Sequence, residues 1–90
     1  MIIVEHVNGS GRNTIANDKR LSMKARGLWF ILWDYSVNHG GTFELPRFKK
    51  EVIGEGEHAT KTAFEELQTF GYFVRKDKGC YELRDRSADR

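Results

Sequence analysis

Residues 46–75 read PRFKKEVIGEGEHATKTAFEELQTFGYFVR, and the fold turns on how this stretch divides. Pro46 suits the first position of a helix, where its missing N–H would have no partner in any case. The spacing predicts a short helix over 46–52 that buries Phe48 and Val52, one turn apart. Gly54-Glu55-Gly56 interrupts it. From about Glu57, the positions Thr60, Ala63, Phe64, Leu67 and Phe70 recur at helical spacing and predict a second helix of about thirteen residues. Gly71 stands where a left-handed residue closes a helix. Tyr72, Phe73 and Val74 then resume strand chemistry, Asp77-Lys78-Gly79 supplies a turn, and Cys80-Tyr81-Glu82-Leu83 returns as the partner strand.

Upstream, Ser22 is the predicted N-cap of a helix over 23–37, with Ala25, Leu28, Trp29, Leu32 and Tyr35 or Ser36 on its apolar face. Asn38-His39-Gly40-Gly41 ends it. Phe43 and Leu45, separated by a polar residue, predict a very short strand leading to Pro46. Ile2, Ile3, Val4 and Val7 precede Asn8-Gly9, a combination that predicts an N-terminal hairpin with strands over 2–7 and 12–16. Gly9-Ser10-Gly11 reads as a turn and not as a phosphate cradle, since no dinucleotide spacing and no Gly-Lys-Ser/Thr follows.

Ninety residues give room for one domain with one modest core, expected over 1–84, with a frayed tail over 85–90. Two Trp, three Tyr and six Phe within a 39% hydrophobic chain exclude wholesale disorder. The formal charge is only +2, so a surface for polyanions has to arise from clustering of basic groups. Cys80, the single cysteine, has no partner for an internal disulfide. No leader pattern is read, and the densest apolar run, 28–33, is far too short to span a bilayer. A cytoplasmic protein without a membrane segment is expected.

Two short helices joined by a glycine-bearing turn, with a basic hairpin directly behind, form a winged helix-turn-helix. The expected class is therefore α+β, with three helices, an N-terminal β-hairpin and a C-terminal β-hairpin wing. Such a third helix fits the major groove of duplex DNA while the wing lies along the sugar-phosphate backbone. With Ala63, Phe64, Leu67 and Phe70 turned to the core, its opposite stripe carries His58, Lys61, Thr62 and Glu65. Lys61 suits phosphate or guanine acceptors, Thr62 phosphate or a thymine methyl, and His58 a phosphate near the helix start. Arg47, Lys49 and Lys50 on the second helix and Arg75, Lys76 and Lys78 on the wing are the expected backbone contacts. Glu51, Glu55, Glu57, Glu65, Glu66 and Asp77 stand among them. Glu65 is suited to accept from a cytosine amino group and Glu57 to favour the helix dipole, while a solvated face of mixed charge is the plainer alternative.

Two segments resemble the helix-turn-helix domains of phage and plasmid replication initiators and related bacterial DNA-binding proteins. Asn17-Asp18-Lys19-Arg20-Leu21-Ser22-Met23-Lys24-Ala25-Arg26-Gly27-Leu28 is similar to the family's approach to the first helix. Glu55-Gly56-Glu57-His58-Ala59-Thr60-Lys61-Thr62-Ala63-Phe64-Glu65-Glu66-Leu67, continuing into Phe70-Gly71-Tyr72-Phe73-Val74-Arg75, resembles its recognition-helix segment. The resemblance implies a winged helix with Lys61 and Thr62 toward DNA, Arg75 and Lys76 entering the wing, and Lys24 and Arg26 adding basic surface. The N-terminal stretch and the wing are both shorter than the family's.

Trp29 and Trp33 lie four apart on a first helix that is apolar nearly all round, and either core packing or a partner or dimer contact satisfies that pattern. His6, His39, His58 and Cys80 stand at no zinc-like spacing, so no metal or cofactor is expected. No nucleophile, base and acid fall into a motif, and neither catalysis nor a small-molecule substrate is expected. The expectation is a sequence-specific duplex DNA-binding protein of replication initiation or transcriptional regulation, possessing a homodimer option through the first helix and the N-terminal hairpin. The alternative is a winged-helix protein-interaction module, for dimerisation or as an adaptor, that binds no DNA.

Overall fold

The structure, a computed structural model, describes residues 2–7, 15, 18–54 and 57–84, with the side chains of residues 6, 7 and 57–59 outside that description. Its elements are β1 (Ile3–Val7), α1 (Met23–Asn38), β2 (Thr42–Glu44), α2 (Leu45–Phe48), α3 (Glu57–Thr69), β3 (Phe73–Asp77) and β4 (Cys80–Arg84), with a π-helical turn over Lys49–Ile53 continuing α2. The class is α+β, with three helices and a mixed four-stranded sheet ordered β2-β1-β4-β3.

Local chemistry explains the helices. Ser22 Oγ accepts from the Ala25 N–H at 3.1 Å, the N-cap bond expected of that position. Both long helices end in the same way. The Gly41 N–H reaches the Ser36 carbonyl at 2.8 Å, and the Tyr72 N–H reaches the Leu67 carbonyl at 2.9 Å. Gly40 (φ 76°) and Gly71 (φ 83°) supply the left-handed residue that closes each of these motifs. In the π-helical turn the hydrogen-bond spacing widens to five residues. Phe48 is buried as expected, whereas Val52 is 43% exposed and Ile53, five residues on, packs against the core instead.

The N-terminal strand departs from expectation. Val4 of β1 lies opposite Phe43 of β2 in antiparallel pairing and opposite Tyr81 of β4 in parallel pairing. Both edges of β1 are thereby taken over Ile3–Glu5, where it is interior to the sheet between two sequence-distant strands. An interior strand satisfies two rows of backbone groups and buries Val4 completely, which a lone hairpin cannot do. Most of 12–16 lies outside the described residues. Ile15, the exception, is a buried residue in a 3₁₀ turn. The 85–90 tail also lies outside them.

The core joins Trp29 and Leu32 of α1, Phe48 of α2, Leu67 of α3 and Phe73 and Leu83 of the hairpin. Trp29 is 1% exposed, and its indole N–H is satisfied by the Arg84 carbonyl at 2.8 Å. The sheet therefore has a helix-covered face, where Val4, Phe43 and Leu83 are buried, and an opposite face bearing Glu5 and Glu82.

Candidate functional site

The outward stripe of α3 carries Lys61, Thr62 and Glu65, all exposed, opposite the buried Ala63 and Leu67. His58 belongs to the same helix, but its side chain lies outside the described ones. Glu66, adjacent in sequence, turns away to the start of α1. Its Oε1 accepts from the Ser22 N–H at 2.7 Å and its Oε2 from the Ser22 hydroxyl at 3.0 Å.

Beside the stripe runs a groove of about 540 Å³ between α3, α2 with its π turn, and the sheet. Lys49 and Lys61 both line it, as do Phe64, Phe73 and Tyr81. The Lys49 Nζ stands 5.4 Å from the centre of the Phe64 ring. A second hollow, lined by Lys49, Lys50, Pro46 and Gly54, adjoins the first at Ile2 and Leu45. Lys49, Lys50 and Lys61 thus occupy one side of the molecule.

Arg47 is differently engaged. Its Nε donates to Glu51 Oε2 at 2.9 Å, one helical turn away, and Glu51 Oε1 accepts from the Tyr35 hydroxyl at 2.7 Å. The Tyr35 hydroxyl and then Arg47 hold the Glu51 carboxyl below its ordinary range, and Glu51 in turn raises the Tyr35 phenol. Arg47 is thus paired, at an exposed position, with a carboxylate that also binds Tyr35 of α1.

The hairpin splits its basic residues between two faces. Arg75 lies opposite Tyr81, in the same cross-strand row as Val4 and Phe43, which places it on the helix side. The register then shifts between Arg75 and Asp77. Lys76, next to Arg75 in the strand, points by alternation to the other face, where it reaches Glu5 at 3.4 Å and Glu82 at 3.6 Å. The Glu5 charge, foremost, raises the Lys76 ammonium above its ordinary range. Lys76 thus lies away from Lys61, although both are expected DNA contacts. Lys78 is exposed in the turn, where its backbone N–H donates to Asp77 Oδ1 at 2.8 Å.

Of the two tryptophans, Trp29 is consumed by the core and offers no face to a partner. Trp33 is half-buried and stacks on it with ring centres 4.8 Å apart. The exposed apolar residues of α1 are instead Met23, Phe30, Ile31 and Val37.

Sequence reasoning missed the aromatic groove, because its wall is assembled from three elements. It also missed the anchoring of the segment before α1. There Arg20 grips Asp18 through Nε and Nη2, at 2.9 and 2.7 Å, while the Tyr72 hydroxyl donates to Asp18 Oδ2 at 2.7 Å. The Asp-x-Arg spacing hinted at the first contact, and nothing local signalled the second. Among the described residues, no group of His, Cys, Asp and Glu is arranged to hold a metal ion, and no helix is long and apolar enough to cross a membrane. Comparison with protein-family models, curated proteins and solved structures finds no match to this chain.

Proposed function

We propose that this chain is a winged-helix protein that binds duplex DNA sequence-specifically, in replication initiation or transcriptional regulation. One juxtaposition supports the reading: Lys61 and Thr62 stand exposed on α3, with Lys49 and Lys50 beside them and Arg75 on the same side of the hairpin. A helix of 13 residues is about 20 Å long and enters a major groove about 12 Å wide. Lys61 and Thr62 then meet base edges or phosphates. Lys49, Lys50, Arg75 and Lys78 neutralise the flanking backbone.

Those four contacts, with Lys61 as a fifth, give a slope of about −4.5 in log affinity against log salt, roughly a five-hundredfold loss between 50 and 200 mM. Fluorescence anisotropy of a mixed-sequence duplex at those two salt concentrations measures it. A steep loss, reduced in Lys61→Ala, supports the reading; no binding at 50 mM sinks it.

A second reading has its own observation. Phe30 and Val37 are 44% and 56% exposed on α1, with the half-buried Trp33 between them at helical spacing. That stripe fits a protein partner or a second copy of this chain, and a dimer would present two α3 helices to paired half-sites. Sedimentation equilibrium of the protein and of Phe30→Glu separates these outcomes.

A further inference from the structure

The aromatic groove beside α3 is more than a gap between elements. Its volume of about 540 Å³ falls within the ~300–1,000 Å³ typical of sites for small molecules. Its wall holds a parallel pair of rings, Phe73 and Tyr81, with centres 4.9 Å apart and planes within 11°. Phe73 is buried behind and Tyr81 is half-buried at the groove, with Phe64 tilted against Phe73 at 5.7 Å. The rim is polar and of a particular kind. Gln68 offers an amide that both donates and accepts, Glu65 offers an acceptor, and Lys49 and Lys61 bring two ammonium groups.

We propose that this groove binds one unpaired nucleotide. The base lies against the Tyr81 and Phe64 rings, its polar edge meets Gln68 and Glu65, and its phosphate is drawn to Lys49 and Lys61. Each part of the groove answers one part of that ligand: ring wall to base, amide and carboxylate to the base's hydrogen-bonding edge, paired ammonium groups to the phosphate. A duplex cannot use the wall, because its bases are stacked on one another and offer no free face. An acyl chain leaves the four polar groups of the rim without a counterpart. Base stacking on aromatic side chains is tolerant of sequence, so the site asks for an unpaired base and not for a particular one. The shared chemistry is that of a nucleoside monophosphate, either free or as one link of a single strand.

The test uses the full chain and a short fluorescein-labelled oligothymidylate, with anisotropy read at low salt. Binding is expected, and Tyr81→Leu should weaken it by about fivefold or more while Tyr81→Phe preserves it. Gln68→Ala, at an exposed position that leaves the fold intact, should weaken it as well and carries the test if Tyr81→Leu fails to fold. An abasic strand of the same length should bind at least fivefold more weakly. Equal affinity for the abasic strand, unchanged affinity in both Tyr81→Leu and Gln68→Ala, or no binding of oligothymidylate at all would each overturn the proposal. Competition by thymidine 5′-monophosphate assigns the site to the free nucleotide, and its absence assigns it to a nucleotide within a strand. Duplex affinity measured alongside keeps the two functions apart. A protein that binds the single strand through its bases but no duplex retains this site and loses the DNA-groove reading, and the reverse result does the opposite.

Discussion

Gly27 lies inside α1 with open space where a Cβ would project. Glycine in a helix interior costs roughly 0.5–1 kcal/mol relative to alanine, mostly through the freedom it retains in the unfolded chain. Gly27→Ala is therefore expected to raise the unfolding free energy by about that amount in urea denaturation. A loss instead would mean that the added methyl disturbs a contact of α1. Asp18 gives the opposite kind of residue-scale effect. Its side chain is 8% exposed, and the Arg20 guanidinium above all, assisted by the Tyr72 hydroxyl, holds its carboxyl well below the usual carboxylate range. A carboxylate depressed in the folded state contributes stability above its unfolded pKa of about 3.9 and loses it as the pH falls toward the folded value. Arg20 is 40% exposed, so solvent screens much of the ion pair, and the hydrogen bond from Tyr72 is the better-sheltered part. Asp18→Asn is expected to cost about 1–3 kcal/mol at pH 7, with the gap to the parent narrowing below about pH 4. A gap independent of pH between 7 and 3 would remove the charge from the explanation.

The start of α1 illustrates how elements complete one another. A Ser N-cap is commonly joined by a Glu three residues on, which reaches back to the cap's own N–H. Here that position is Ala25, and Glu66 of α3 performs the same service across 44 residues. Ser22→Ala and Glu66→Ala should each cost about 1 kcal/mol, and in the double variant the losses should fall short of their sum by at least about 0.5 kcal/mol. Additive losses would show that the two elements hold one another by packing alone. The same division between local and distant contacts separates what the sequence disclosed from what it did not. α1, α3 and the β3–β4 hairpin were legible because caps, apolar spacing and the Asp77-Lys78-Gly79 turn act within a few residues. The outward position of Lys61 and Thr62 followed from that spacing, and the Arg47–Glu51 pair was readable as neighbours one turn apart. β1 was legible as a strand and illegible in its pairing, since its partners β2 and β4 lie far along the chain and no local signal points to them. The direction of Lys76 was open to the same local reading, because alternation from the buried Phe73 sends Arg75 to the helix side and Lys76 to the other, whereas its partners Glu5 and Glu82 could be known only from the strand pairing.

For the molecule as a whole, the placement of β1 matters most, because the hairpin joins the remainder of the sheet only through it. β4 is consequently an interior strand, and the hairpin is a wall of the sheet, with β3 its last strand among the described residues. That arrangement divides the basic residues into two populations. Lys49, Lys50, Lys61 and Arg75 share the side of the helices, whereas Lys76 is drawn across the opposite face by Glu5 and Glu82. If duplex DNA sits on α3, its phosphates release counterions to the first population and to Lys78 in the turn, and not to Lys76. Lys61→Ala should therefore weaken duplex binding and lower the magnitude of the salt slope by about 1, as the loss of one phosphate contact requires. Lys76→Ala, although it removes the same charge from the same small protein, should leave the slope unchanged and the affinity within about twofold. Net charge alone predicts equal effects from the two substitutions, so anisotropy titrations of both variants across salt concentrations decide between a localised binding face and a diffuse attraction. Equal slopes in the two variants would discard the face described for α3.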